Sequence, residues 1–218
     1  MKISAIITAG GTSSRFGNTN KLLEKINGKE IIKYTVDAFI NSNINEIIIS
    51  ANSSIIEILR VFFKEYKNIK IVQGGNSRQA SVYNGLKVAN CEYVLIHDGA
   101  RPMITPEIIN KTVEAVVEKK AVSVMTKTID TIKEVDENGK IIKTIDRSKL
   151  YNTQTPQAFK YDLIKMAHDK LQDQNFTDDA GMIEFLGKDV YIVDGDYRNI
   201  KVTTKSDLAL AEIYLTQD

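Results

Sequence analysis

At 218 residues the chain can bury a good core as one domain, 1–218, and a two-domain split would leave unusually small parts. Its 43% hydrophobic and 26% charged residues exclude a disordered or fibrous chain, and no run approaches the ~20 apolar residues of a membrane span. The net charge of +1 excludes nucleic-acid binding through global positive charge, so any anionic ligand must be met by locally converging cations. The first apolar run is too short for a signal peptide, which predicts a cytoplasmic protein. The single cysteine, Cys91, permits no internal disulfide and reads as a small buried hydrophobe.

In chain order, a strand over Ile3 to Thr8 stops at Ala9-Gly10-Gly11 and enters a loop of small hydroxylated residues, Thr12, Ser13 and Ser14, that also holds Arg15 and Lys21. Glycine N–H groups can approach an anion closely, and an Arg with a Lys can neutralise a triphosphate. A plain strand-to-helix turn with two solvated charges is the competing reading. The loop has neither the Gly-Lys-Ser/Thr of a P-loop nor the G-x-G-x-x-G of a dinucleotide fold. Helical spacing over Ile31 to Ile40 follows a turn at Gly28; a strand covers Glu46 to Ser50. Ser54 with Glu57 predicts a capping box opening a helix from Ile55 to Tyr66.

After a strand at Ile69 to Val72 comes Gly74-Gly75-Asn76-Ser77-Arg78-Gln79-Ala80-Ser81-Val82. Here Gly-Gly permits approach to a flat ligand, Ser81 offers a hydroxyl to a sugar or base edge, and Arg78 reads as solvated or ion-paired. The strand Tyr93 to His97 leads into HDGARP. A carboxylate at a strand's carboxyl end, Asp98, suits a sugar hydroxyl or a magnesium ion, and an ion pair with Arg101 would shape the turn. His97 points to the opposite face and reads as structural. Thr105-Pro106 caps a helix running to about Lys119, and a strand over Val122 to Met125 follows.

Strands alternating with helices predict an α/β, Rossmann-like, mostly parallel sheet flanked by helices. Ligands of such sheets sit beyond the carboxyl ends of the strands, where the Ala9 to Lys21 loop and Asp98 both fall. From about 127 to 150 the pattern changes to a hairpin, Thr131 to Val135 and Lys140 to Ile145 about an Asn138-Gly139 turn, read as a projecting arm. Pairing with the same arm of a second copy would cover its edges, which predicts a homodimer.

Asp146-Arg147, Thr153 to Gln157 and Asn199 to Thr203 together supply an Arg, a Lys and several hydroxyls, enough to hold a second phosphorylated molecule, although the latter two segments also read as irregular connectors. Tyr161 to Leu171 has helical spacing with His168 exposed. Asp178-Asp179 reads as a helix cap rather than a metal pair. Val190 to Val193 could be a strand, and Ser206 to Leu215 an amphipathic helix.

Taken together, AGGTSSRF, NKL, GGNSRQASV, HDGARP, TIDRSKLYNTQTPQAF, TDDA and NIKVTTKSDLALAE resemble the cytidylyltransferases, most closely those acting on 2-C-methyl-D-erythritol 4-phosphate in non-mevalonate isoprenoid synthesis. The resemblance implies attack of a phosphate oxygen of the polyol phosphate on the α-phosphorus of CTP, release of pyrophosphate and a requirement for Mg2+. It implies that Arg15 and Lys21 stabilise the transition state, and that Arg147 and Lys201 position the attacking phosphate. Ala9, Gly10, Gly11, Gly75, Asn76, Ser81 and Gly99 match nucleotide-binding positions. Asp98 belongs with them and with the sugar-phosphate positions Arg101, Thr131 and Thr155. The resemblance further implies a homodimer in which Arg147 and Thr131 serve the neighbouring subunit; the charge balance and the lack of a long apolar run predict no nucleic acid or membrane partner.

The chain departs from the pattern in a loop one residue shorter between Arg15 and Lys21, Asn20 for a proline, Ser13 for a glycine and Asn76 for an aspartate. That spacing is similar to the molybdenum-cofactor guanylyltransferases, which share the fold. Ribitol 5-phosphate cytidylyltransferase and a non-catalytic nucleotide-binding module are the alternative functions.

Overall fold

The structure, a computed structural model, describes residues 1–11, 16 and 20–216. The first strand, β1 (Ile3–Ala9), alternates buried side chains between two faces. A short 3-10 turn, Lys21–Leu23, leads to a small hairpin of β2 (Lys25–Ile26) and β3 (Lys29–Glu30), whose Asn27 and Gly28 adopt φ of +50 and +81. Positive φ at both central residues is what a two-residue hairpin turn needs. Then α1 (Ile31–Ile40), β4 (Glu46–Ala51), α2 (Ile56–Phe62), β5 (Ile69–Gln73), α3 (Arg78–Leu86) and β6 (Tyr93–Asp98) follow. The second half holds α4 (Pro106–Lys119), β7 (Ala121–Lys127), β8 (Lys133–Val135), β9 (Ile141–Thr144), β10 (Tyr151–Lys160), α5 (Tyr161–Lys170), α6 (Asp179–Phe185), β11 (Tyr191–Asp194) and α7 (Lys205–Thr216).

The described residues form a seven-stranded sheet in the order β11-β7-β10-β6-β1-β4-β5, in which only β10 runs against its neighbours. Ala5, Ile7, Phe39, Ile47, Ile49 and Ile109 pack one face with α1 and α4, and Ile6, Ile48, Val82, Leu86, Ile96 and Ile164 pack the other with α3 and α5. Helices thus cover both faces, as a mostly parallel sheet requires. From β1 the chain moves outward to β4 and β5 and then returns to place β6 on the other side of β1, with Thr8 beside Asp98. That reversal opens a crevice at the carboxyl ends of β1 and β6.

Three expectations change. No capping box forms at Ser54 and Glu57; the Asn52 carbonyl accepts from the N–H groups of Ile55 and Ile56, its side chain accepts from Ser54 N, and α2 ends at Phe62. The polar run Thr153 to Gln157 is no connector but the middle of β10, where the register against β7 shifts. Such an irregularity accommodates Pro156, which has no N–H to give a ladder. His168 is buried, because the face of α5 bearing Ile164, Ala167 and His168 packs against its neighbours. The hairpin β8–β9 stands in a sheet of its own with every residue of both strands exposed. No helix among the described residues is long and apolar enough to cross a membrane.

Candidate functional site

Loops at the carboxyl ends of the parallel strands surround a cavity of about 370 Å³. After β1 the chain supplies Gly10, Gly11, Lys21 and Leu22; after β5, Gly75, Asn76, Ser77, Arg78 and Ser81; at the end of β6 and beyond it, Asp98, Gly99 and Ala100; and from the segment before α7, Lys201 and Thr203. Arg15, with Thr12 to Ser14, lies outside the described residues.

Gly10, Gly75 and Gly99 stand where a side chain has no room, whereas Gly11 faces open space. A Cβ at Gly10 would stand 2.6 Å from Ser81 Oγ, and one at Gly99 would meet Thr8 O at 2.9 Å. Asn52 holds Gly10 by donating to its carbonyl at 3.2 Å. Helix α3 opens at the cavity wall, its N-cap Ser77 accepting from Ala80 N at 3.0 Å. The dipole of that helix therefore adds positive potential to the cavity. Ser81 Oγ donates to Ser77 O at 2.8 Å and accepts from Gly75 N at 3.1 Å, so this hydroxyl ties the Gly75 loop to the helix. At the loop before the 3-10 turn, Asn20 is the N-cap and accepts from Leu22 N at 3.1 Å, which orients the turn that begins with Lys21.

Asp98 is the electrostatic centre. Its Oδ1 meets Arg78 Nε at 3.2 Å, its Oδ2 meets Lys201 Nζ at 2.8 Å, and Arg101 Nε lies 3.7 Å from Oδ2. Burial pushes this carboxyl's pKa up, but Arg78, Lys201 and Arg101 outweigh it and hold it well below the usual carboxylate range. Arg78 also binds the buried Asp179 at 2.7 Å, and Asp179 in turn lies 3.3 Å from His168 Nε2. Around the cavity Lys21, Arg78, Arg101 and Lys201 outnumber Asp98 and Asp179, which suits a polyanionic ligand.

Thr155 lies behind Asp98, 4% exposed, and accepts from Asp98 N at 3.1 Å. Its hydroxyl also lies 3.0 Å from His97 Nδ1, while His97 Nε2 is 3.4 Å from Arg101 O. Burial lowers the His97 pKa to about 3, so the ring is neutral. A single tautomer satisfies both contacts, with Nε2–H donating to the Arg101 carbonyl and the Thr155 hydroxyl donating to Nδ1. His97 thus has the structural place that strand alternation predicts, against Phe39. Thr131 and Arg147 are not among the lining residues; both are exposed, and Arg147 donates to the carbonyl of Ile129 within the arm. Ala9 ends β1, is buried, and is not among the lining residues.

In sequence, Arg78 reads as a solvated or paired cation and Asp179 as part of a helix cap. Asp178 is the cap, accepting from Gly181 N at 3.0 Å, and Asp179 turns inward to Arg78. The Ser77 cap directly before Arg78 was the available signal, since it sets that side chain at the first turn of a helix facing the crevice. Gln157 closes the arrangement, accepting from the N–H groups of Asp179 and Ala180 and donating to Asp178.

A family model described as IspD, 2-C-methyl-D-erythritol 4-phosphate cytidylyltransferase, matches residues 3–217. The protein of that name from Caldanaerobacter subterraneus is 44% identical, with 99% of each chain covered, and that from Clostridioides difficile is 42% identical, covering 99% of this chain and 94% of its own. Among solved structures, 4-diphosphocytidyl-2C-methyl-D-erythritol synthase from Anaerococcus prevotii superposes with a TM-score of 0.89 at 36% identity, covering 99% of this chain and 96% of its own. Over essentially its whole length, the chain belongs to the 2-C-methyl-D-erythritol 4-phosphate cytidylyltransferase family.

Proposed function

We propose that this chain, acting as one nucleotidyltransferase domain, transfers a cytidylyl group from CTP to 2-C-methyl-D-erythritol 4-phosphate and releases pyrophosphate. The observation that carries the reading is the convergence of Lys21, Asp98 and Lys201, from three distant segments, on one cavity at the sheet's switch point in a chain of this family. In the reaction an anionic phosphate oxygen attacks the α-phosphorus of CTP and the bond to pyrophosphate breaks, so no covalent enzyme intermediate and no general base are required. The cavity chemistry agrees: the Ser77 and Ser81 hydroxyls are engaged in holding α3, and His97 faces away from the crevice.

Lys21, with Arg15, stabilises the charge that develops as pyrophosphate leaves. Gly10, Gly11, Gly75, Asn76, Ser81 and Gly99 shape the nucleotide side. Asp98 lines the sugar-phosphate side with Arg101 behind it, Lys201 directs the attacking phosphate, and Thr155 holds Asp98 in place. Asp98 is the lone carboxylate among the lining residues described. Its oxygens already face Arg78, Lys201 and Arg101, so Mg2+ would be held chiefly by the triphosphate that carries it in and by its own waters, with Asp98 the one carboxylate at hand. When bound, the ion supplies neutralisation of the leaving pyrophosphate. Arg147 and Thr131 complete the site of a second subunit through the arm. The cytoplasm, where free CTP is held, is the compartment this reading implies.

The test is pyrophosphate release with CTP and Mg2+, using methylerythritol 4-phosphate or ribitol 5-phosphate as acceptor and GTP and UTP as controls. Release with CTP and methylerythritol 4-phosphate alone is expected. Release with ribitol 5-phosphate would change the acceptor, and silence with every pair would overturn the enzymatic reading.

A further inference from the structure

Lys201 sits on the segment between β11 and α7, which has no strand or helix of its own to fix it. What fixes it is Asn199. This side chain is fully buried, and its Nδ2 donates to Gln154 Oε1 at 3.2 Å and to Thr155 O at 3.0 Å, both on β10. Its backbone carbonyl accepts from Arg101 Nη1 at 2.8 Å. Gln154 in turn donates to Asp196 O at 2.8 Å, so β10 grips the segment at two places. Val202 N then bonds to Ala100 O, which leaves Lys201 suspended between the two anchor points.

Thr155 is the shared post. Its carbonyl receives Asn199 and its hydroxyl receives Asp98 N, so the separation of Lys201 from Asp98 is referred to one residue. Asn199 Oδ1 accepts no hydrogen bond from the described residues, so the side chain's bonding rests on Nδ2.

We infer that Asn199 is a positioning residue: it acts through Lys201, setting the ammonium against Asp98 and hence against the incoming acceptor phosphate. This rests on the functional reading above, in which Lys201 addresses that phosphate. A small displacement of a positioning group can cost up to about 100-fold in rate. The loss should fall on the acceptor and spare the nucleotide, whose loops Asn199 does not touch.

The experiment is a double-mutant cycle on the full-length protein, with pyrophosphate release measured for Asn199→Ala, Lys201→Ala and the pair. Asn199→Ala should lower kcat/KM for methylerythritol 4-phosphate by about 10- to 100-fold and leave KM for CTP within about threefold. In the Lys201→Ala background the same change should cost no more than about twofold, because the residue through which it acts is gone. Asn199→Ser, which keeps one donor, carries the cycle if the alanine variant does not fold, with a smaller loss of the same pattern. Unchanged acceptor kinetics, or losses that multiply in the double variant, overturn the inference while the functional reading survives. A wild-type protein silent toward CTP and the acceptor overturns both.

Discussion

Arg78 is held between two buried carboxylates, Asp98 at 3.2 Å and Asp179 at 2.7 Å. Removing one partner of a buried ion pair leaves the other charge uncompensated, at a cost of roughly 3–5 kcal/mol. Because Asp98 remains, Asp179→Ala is expected to destabilise the fold by about 3 kcal/mol in urea unfolding. Burial raises the Asp179 pKa, but Arg78 and His168 outweigh it and the net shift is downward. A depressed carboxyl contributes stability that is complete above its unfolded value of about 3.9 and is lost as pH falls through the folded value. The stability gap between wild type and Asp179→Asn should therefore hold from neutral pH down to about pH 5 and narrow as the pH falls through about 3.9 and below, and a gap that widens on acidification contradicts the ion-pair account. Lys21 lines the cavity, and in the function proposed above it acts in the chemistry rather than in the core. Its contribution is greatest when charge leaves toward pyrophosphate, so Lys21→Ala should reduce kcat by about 100-fold or more while CTP affinity changes only severalfold. Equal losses in affinity and turnover would assign Lys21 to ground-state binding instead.

At the scale of elements, α7 shows how little packing holds the end of the chain. Ala211 is its one fully buried residue among those described, with Leu208, Tyr214 and Leu215 partly covered. Its start is fixed by hydrogen bonds instead: Asp207 accepts from Thr203 N, Thr203 Oγ1 and Thr204 N, and Thr204 Oγ1 accepts from Asp207 N. This reciprocal cap is worth about 1 kcal/mol. In Asp207→Ala the amides at the start of α7 should exchange with solvent faster while those of β1 and β4 are unchanged; uniform acceleration would show that the cap supports the whole fold. The same element explains what could be read from sequence. β1, β4 and β6 announced themselves as apolar runs because both faces of a central parallel strand are buried. β10 did not, because its interior carries Gln154, Thr155 and Gln157, whose burial depends on partners in Asn199, Asp98 and Asp178 from other segments. His168 reads as exposed in sequence for the same reason, since its cover is Tyr83 from α3. The glycine loops, Asp98 and Lys201 were legible as separate motifs. Their tie through Thr155 and Asn199 was not, because it is made by tertiary contacts with no local spacing.

At the scale of the molecule, the arm is the feature that one chain leaves unexplained. Ile129, Ile132, Val135, Ile141 and Ile142 are exposed on or beside a two-stranded hairpin that pairs with no other strand described. An isolated hairpin is marginal in water, and apolar groups grouped on it favour a partner surface. Thr131 and Arg147 are carried by the same arm and do not line the cavity of their own chain. The dimer proposed here joins these facts: each arm covers its apolar side on a second copy and delivers Arg147 to that copy's acceptor site. Lys21→Ala and Arg147→Ala then disable different halves of a composite site. Within a heterodimer of the two variants one site combines both lesions and the other is intact. Co-folded at equal amounts, half of the dimers are mixed and half of their sites are restored, so activity should recover to about a quarter of wild type. Verified heterodimers without recovery would place Arg147 in its own chain's site. Ile141→Glu, which puts charge on the apolar side of the arm, should shift the protein to monomer in sedimentation and remove that recovery together with the activity that depends on Arg147.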